Sequence, residues 1–320
     1  MPHATTSDDY AFSLQWMERD PVGYGANPPN PNWPNNAKIA VNFVLNYEEG
    51  GERTVEDGFD CAEDNLHEFK NHASVKGKRD PTVESQFDYG SRVAIWRILD
   101  LFESAGIHFT FYAVARAFER SPHIAKIAAE HGHEIASHCH TWQPHAWMTP
   151  QEEEEWIIKA VESFQKTSPT GKAPVGWFYG RPSENSAALV NKVYRERGLE
   201  FLYWADNFAD DLPFWTLDNN DFKIYWGQFG SDDAFAQRVI DSFHTIRDEA
   251  LRGKRHGIGR PGRFQALKRI VNEMLKYDDV WFATREQIAR HFAGQFTFEQ
   301  GMGLKKKNKE MCEGLLAAKK

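Results

Sequence analysis

The sequence predicts an α/β fold in which a largely parallel sheet, open or closed into a barrel, is covered by helices. Three observations predict it. Short β-rich runs alternate with helical patterns along most of the 320 residues. The runs are near-continuously apolar, as strands covered on both faces must be. The helical stretches carry their own start and stop signals. With 41% hydrophobic residues the chain can bury one sizeable core, and no internal repeat or convincing boundary argues for a second domain.

In chain order, residues 1–19 are expected to be disordered. Residues 20–37, DPVGYGANPPNPNWPNNA, are rich in Pro, Asn and Gly, which disfavour helix and central strand through fixed φ, a missing donor and local side-chain hydrogen bonds. They are expected to form an extended arm anchored by Tyr24 and Trp33. A domain at 38–296 follows, with strand candidates at Ile39–Asn46, Phe109–Ala115, Glu134–His138, Val175–Gly180, Phe201–Asp206 and Val280–Thr284. Between them, SRVAIWRILDLFESAG places Val93, Ile95, Trp96, Leu99 and Phe102 at helical spacing and stops at Gly106. PQEEEEWIIKAVESFQ opens on Pro150 and four acids, which suit a positive helix N-terminus better than a metal.

One segment fits the alternation badly. After Phe201–Asp206, DDLPFWTLDNNDFKIYWGQFG offers a single weak strand, KIYWG, and a helix from about Asp232 to Leu251 runs straight into RGKRHGIGRPGR, where another strand is expected. Residues 297–320, with GLKKKNKE, read as a solvated Lys-rich tail.

The totals exclude several classes. A formal charge of −8 provides no basic field for nucleic acid. Cys61, Cys139 and Cys312 are too few and too scattered for a disulfide framework, which suits a reducing compartment. With no apolar signal region and no run of about eighteen apolar residues, the chain is expected to be cytoplasmic and free of membrane. The dinucleotide, P-loop, serine-hydrolase and zincin motifs are absent from the sequence.

Chemistry is expected where the strands end. The first ends in Asn46, Glu48 and Glu49, the third in His138, Cys139 and His140, the fourth in Tyr179, Gly180 and Arg181, and the fifth in Asp206, then Asp210 and Asp211. Parallel strands bring such ends to one rim. There a carboxylate can take a proton from water, a cation can hold oxyanion charge and an imidazole can serve the leaving group. Each residue also has a plainer reading, as a solvated loop acid, a buried histidine or a structural arginine. Their joint placement favours hydrolysis.

The ordered segments VGYGANPPNPNWP, VNFVLNYEEGGER, DYGSRVAIWRIL, GHEIASH, GWFYGRP, DDLPFW, GRPGR and VWFATREQIARHF resemble the polysaccharide deacetylases (NodB-like, carbohydrate esterase family four), nearest the branch with cofactor-independent allantoinases. The resemblance spans most of residues 20–295. It implies a distorted (β/α) barrel of about seven strands that hydrolyses carbon–nitrogen amide bonds, here an incomplete barrel. It also implies that Glu48 matches a general base, Glu49 a metal-ligand position and His138 the first of two ligand histidines. Trp142 stands at the second, and an indole nitrogen is a donor that cannot ligate a cation. His140 and His145 lie nearby, but at plus two a strand or extended loop turns its side chain to the other face. The expectation is therefore no cofactor, with zinc as the alternative. A family histidine that ends a strand before GRPGR is also missing, with His256 out of register, so the chain is expected to be a shortened version of a complete enzyme.

Three readings follow. The first is an enzyme hydrolysing a small cyclic ureide such as allantoin. Glu48 or Glu49 would activate water, and Arg181 and His138 would orient the substrate and stabilise the oxyanion. Tyr47, Trp142, Trp177 and Tyr179 would wall the pocket, with Asp210 and Asp211 binding substrate. The second is a deacetylase of N-acetylglucosamine oligomers, with Trp147 stacking on sugar rings. The third is a non-catalytic homologue. The resemblance also implies a homo-oligomer, with the arm as a natural interface element.

Overall fold

A computed structural model describes residues 20–25, 27–64, 67, 69, 72–210, 212–216, 223–225 and 261–317. In chain order the strands and helices are β1 (Ile39–Val41), β2 (Val44–Tyr47), α1 (Pro81–Tyr89), a π-helical turn (Gly90–Ala94) and α2 (Ile95–Ser104). Then come β3 (Thr110–Ala113), α3 (Ala115–Arg120), α4 (Pro122–Glu130), β4 (Glu134–Ser137), α5 (Pro150–Thr167), β5 (Gly176–Trp177) and α6 (Ser186–Glu196). The remainder are β6 (Tyr203–Trp204), β7 (Phe214–Thr216), β8 (Lys223–Tyr225), α7 (Pro261–Met274), β9 (Val280–Phe282), α8 (Arg285–Gln295) and α9 (Phe298–Ala317).

The α/β expectation holds. Seven strands form one sheet in the order β2-β3-β4-β5-β6-β8-β7, parallel from β2 to β8, with β7 antiparallel at the edge. β1 and β9 form a separate parallel pair. This largely parallel sheet is consistent with a distorted barrel, and among the described residues no strand joins β7 to β9.

Helices cover the sheet because their apolar stripes need burial. In α2, Ile95, Ile98, Leu99, Leu101 and Phe102 are all buried, and Phe102 meets Phe43 and Phe109 at ring distances of 4.9 Å. Thr149 and Glu152 form a reciprocal cap that starts α5 where the proline and acids predicted it. Register then positions the site. Tyr47 pairs with Ala113, Ala113 with Ser137, Ser137 with Trp177 and Trp177 with Trp204. One residue further along each strand, Glu48, His138 and Phe178 therefore come level on one rim.

Several expectations change. Ile39–Asn46 is two strands, not one. The run breaks at Asn42, whose Nδ2 donates to Thr110 Oγ1 at 3.1 Å and to Ala283 O at 2.9 Å, tying the small sheet to the large. KIYWG does supply β8, and PFWT adds the edge strand β7, which the sequence reading missed. The segment around GLKKKNKE is helical: α9 lays Lys305 over the Phe214 ring at 4.5 Å and buries Asn308, whose Nδ2 donates to Tyr24 O at 2.9 Å. The arm packs on its own chain, with the Tyr24 hydroxyl donating to Pro213 O at 2.8 Å and Trp33 against Trp281 and His291. Residues 1–19, the expected helix at 232–251, His256 and the missing strand lie outside the described residues.

Candidate functional site

Glu48 leaves the end of β2 with its carboxylate on His138, just past β4. Glu48 Oε1 lies 3.0 Å from His138 Nε2 and accepts from Asn46 Nδ2 at 2.9 Å. His138 is 5% exposed, and its Nδ1 lies 3.1 Å from the Phe178 carbonyl at the end of β5. A carbonyl only accepts, so Nδ1 carries hydrogen and the contact between Nε2 and Glu48 needs one further proton between them. Burial pushes the Glu48 carboxyl up, but the hydrogen bond and charge of His138, the Asn46 amide and the Arg181 charge outweigh it and hold the group below its ordinary range.

Gly180 makes the fit over His138 feasible. It has φ +75, and a Cβ there would come within 2.9 Å of His138 Cε1. Asp206 fixes this turn by accepting from Tyr179 N at 2.7 Å and Gly180 N at 2.6 Å, while burial pushes its own carboxyl up to about 6. The strand-end position of Asp206 was visible in the sequence. Its task, holding two backbone donors of the neighbouring strand end, was not.

Arg181 and Trp142 meet beside the pair. The guanidinium lies 4.8 Å from the centre of the indole, and Trp142 N donates to Gly51 O at 2.8 Å, closing the 138–148 loop onto the loop after β2. The Arg181 charge also acts on Glu48, which it helps to hold ionised.

Glu49 takes a different direction. Its carboxyl rests on Gly90 in the π-helical turn, where a Cβ would come within 2.2 Å of Oε1, and Oε2 accepts from Glu48 N at 3.2 Å. Burial, then the charges of Glu48 and Glu52, push this carboxyl up to about 7.

The expected pocket walls divide. Trp142 and Tyr179 belong to the site's surroundings, with the Tyr179 hydroxyl 2.9 Å from His145 Nδ1. Tyr47 and Trp177 do not line an open mouth. Tyr47 packs against Phe111 and Phe118 and donates to Ser91 Oγ, and Trp177 is fully buried against Tyr194. Both are the last residues of their strands and contribute to the core. Asp210 is not brought to the site either: it closes a turn on Leu212 N at 3.1 Å, and its Oδ2 faces Gly23 of the arm. Asp211 lies outside the described residues.

Comparisons with known proteins bear on the family and the fold. The family model "Polysaccharide deacetylase" matches residues 76–202. A Schizosaccharomyces pombe protein assigned to the polysaccharide deacetylases is 36% identical over 320 residues, covering 88% of this chain and 98% of its own. The crystal structure of PuuE allantoinase superposes with a TM-score of 0.73 at 34% identity, over 86% of this chain and 97% of its own. A Pseudomonas aeruginosa PAO1 structure assigned to the polysaccharide deacetylases gives 0.73 at 35% identity, over 87% and 98%.

The expectation of no cofactor is corrected by the family match over residues 76–202, because polysaccharide deacetylases are in general metal-dependent hydrolases. The donors described here do not fit a metal ion. Glu48 and His138 face each other as a pair, Glu49 lies on Gly90 and Trp142 supplies no lone pair. Among the described residues no three His, Cys, Asp or Glu side chains are placed to hold a metal. No helix among the described residues is long and apolar enough to cross a membrane. A strand-end acid and imidazole on a parallel sheet, in a chain that matches its relatives nearly end to end, give one assignment: this chain belongs to the polysaccharide deacetylase family of hydrolases that act on non-peptide carbon–nitrogen bonds.

Proposed function

We propose that the protein hydrolyses an amide carbon–nitrogen bond in a small cyclic ureide, of which allantoin is the type. The single observation that carries this reading is the 3.0 Å contact between Glu48 Oε1 and His138 Nε2, with His138 Nδ1 already committed to Phe178 O. The likeness to an allantoinase over nearly the whole chain supports the choice of substrate.

In this mechanism the pair begins with one proton, as carboxylate and imidazolium. Glu48 takes a proton from water as the oxygen attacks the substrate carbonyl, and Arg181 holds the charge that develops on the carbonyl oxygen. The carbon–nitrogen bond breaks as His138 Nε2 gives its proton to the leaving nitrogen. Glu48 then returns its proton to His138, so the pair ends as it began. Trp142 keeps Arg181 in place and excludes bulk water.

A second reading, deacetylation of an N-acetylated sugar, has one observation of its own. Trp147 is 82% exposed beside Phe59 and Trp156, a platform suited to a sugar ring. One experiment separates the two readings. Purified protein, both chelated and supplemented with zinc or cobalt, is incubated with allantoin and with N-acetylglucosamine oligomers. Allantoate release supports the first reading, acetate release replaces it with the second, and turnover of neither overturns both.

A further inference from the structure

Tyr179 and His145 take no part in the proton transfers proposed above, yet both are buried next to them. The Tyr179 hydroxyl lies 2.9 Å from His145 Nδ1, with the rings edge to face at 4.4 Å. The backbone N–H of His145 donates to Arg181 O at 3.2 Å. Fully buried Glu153 of α5 stands beside both rings, 3.6 Å from the same Nδ1 and within reach of the Tyr179 hydroxyl, and accepts from Ser183 Oγ at 2.5 Å and from Ser186 Oγ. On the opposite side Asp206 holds Tyr179 N and Gly180 N.

The segment Phe178–Arg181 is thus clamped from two directions, and it carries three parts of the site. These are the carbonyl that receives His138 Nδ1–H, the glycine seated on His138 Cε1 and the Arg181 guanidinium. Burial pushes His145 down to about 3, so its ring is neutral across the working range and can accept from the tyrosine hydroxyl without itself titrating there. It is therefore suited to support, not to proton transfer.

We propose that His145 is a positioning residue of this site: through the Tyr179 hydroxyl and the Arg181 carbonyl it fixes the Phe178–Arg181 segment, and so sets both the His138 imidazole and the Arg181 guanidinium. The kinetic part of its test rests on the hydrolase reading; the spectroscopic part does not.

Four variants test it: Tyr179→Phe, His145→Phe, their combination, and His145→Asn, whose side-chain oxygen can replace Nδ1 as acceptor. Tyr179→Phe and His145→Phe should each lower kcat about tenfold or more with KM changed less than about threefold, since small misplacements of reacting groups act on the chemical step. The combination should be no worse than the poorer single variant, because the two side chains act as one unit. His145→Asn should recover most of the loss. In substrate-free protein the His138 ring 15N signals should move in both single variants and return toward wild type in His145→Asn.

Full kcat in Tyr179→Phe with unmoved His138 signals would overturn the proposal, as would losses that multiply in the combination. Should wild-type protein turn over neither substrate, the hydrolase reading fails while the 15N signals still decide the positioning role. Thermal unfolding of all four variants identifies any that has lost its fold, and Tyr179→Phe, which removes one oxygen, carries the decision in that event.

Discussion

At the scale of single residues, two adjacent glutamates have opposite surroundings. Glu48 faces an imidazole and a guanidinium and stays ionised, whereas Glu49 is turned onto Gly90 and is pushed up to about 7. Glu48→Gln should lower kcat by about 10² to 10⁴, as loss of a general base does, and lower the thermal midpoint modestly, because buried His138 loses its charged partner. An activity assay beside a melting curve checks this. For Glu49 the sign follows from burial, which favours the neutral acid in the folded state. Between about 4.5 and 7 the unfolded chain ionises first, so stability falls as pH rises through that window and stays low above it. Glu49→Gln should therefore raise stability at pH 8 by about 1–3 kcal/mol, since solvent reaches part of the group and screens its charge, and by little at pH 4. Denaturant titrations at both pH values measure the difference. Glu48, His138 and Arg181 were legible in the sequence because each ends or follows an apolar run that had to be a strand. Tyr47 and Trp177 were misjudged for the same reason: adjacency to a strand end does not tell which side chain stays among Phe111, Phe118 and Tyr194 and which emerges.

At the scale of elements, the turns after the strands shape the site more than the strands do. Gly180→Ala meets a left-handed backbone and His138 Cε1 at once. It should cost about 1–2 kcal/mol in stability and lower kcat further than that alone explains, through displacement of the imidazole. Thr149→Ala is the complementary case. Losing the reciprocal cap with Glu152 should cost about 1 kcal/mol and leave kcat intact, because the cap lies at the start of α5, apart from the Glu48–His138 pair. Melting curves beside rate measurements distinguish the two outcomes. Local signals predicted α2 and α5 well, since periodicity and caps are local properties. They missed β7, whose three residues follow a proline and find order through distant partners, β8 and the Phe296 carbonyl that accepts from Trp215 Nε1, and they missed the break at Asn42, which is set by partners at Thr110 and Ala283 far along the chain. The Lys-rich segment was misread because its helix depends on Phe214 and Tyr24, not on its own composition.

On the scale of the whole molecule, long-range ties hold the β7 edge of the sheet. Tyr24, 3% exposed, reaches Pro213 just before edge strand β7, and Asn308 of α9 holds the carbonyl of the same tyrosine. Tyr24→Phe should lower stability by about 1 kcal/mol with kcat unchanged, as expected for one buried hydrogen bond far from the chemistry. Equilibrium unfolding with a parallel assay checks both halves of that statement. The clasp also has a consequence in time. A nascent chain leaves the ribosome with residue 24 ahead of residue 308, so Tyr24 and the β7 edge wait for their final cover until Asn308 has been translated. The β1 strand waits similarly for β9. During synthesis, then, the strands that carry Glu48 and His138 can pair early, while the rim of the sheet stays open to other nascent chains and to chaperones until α9 arrives.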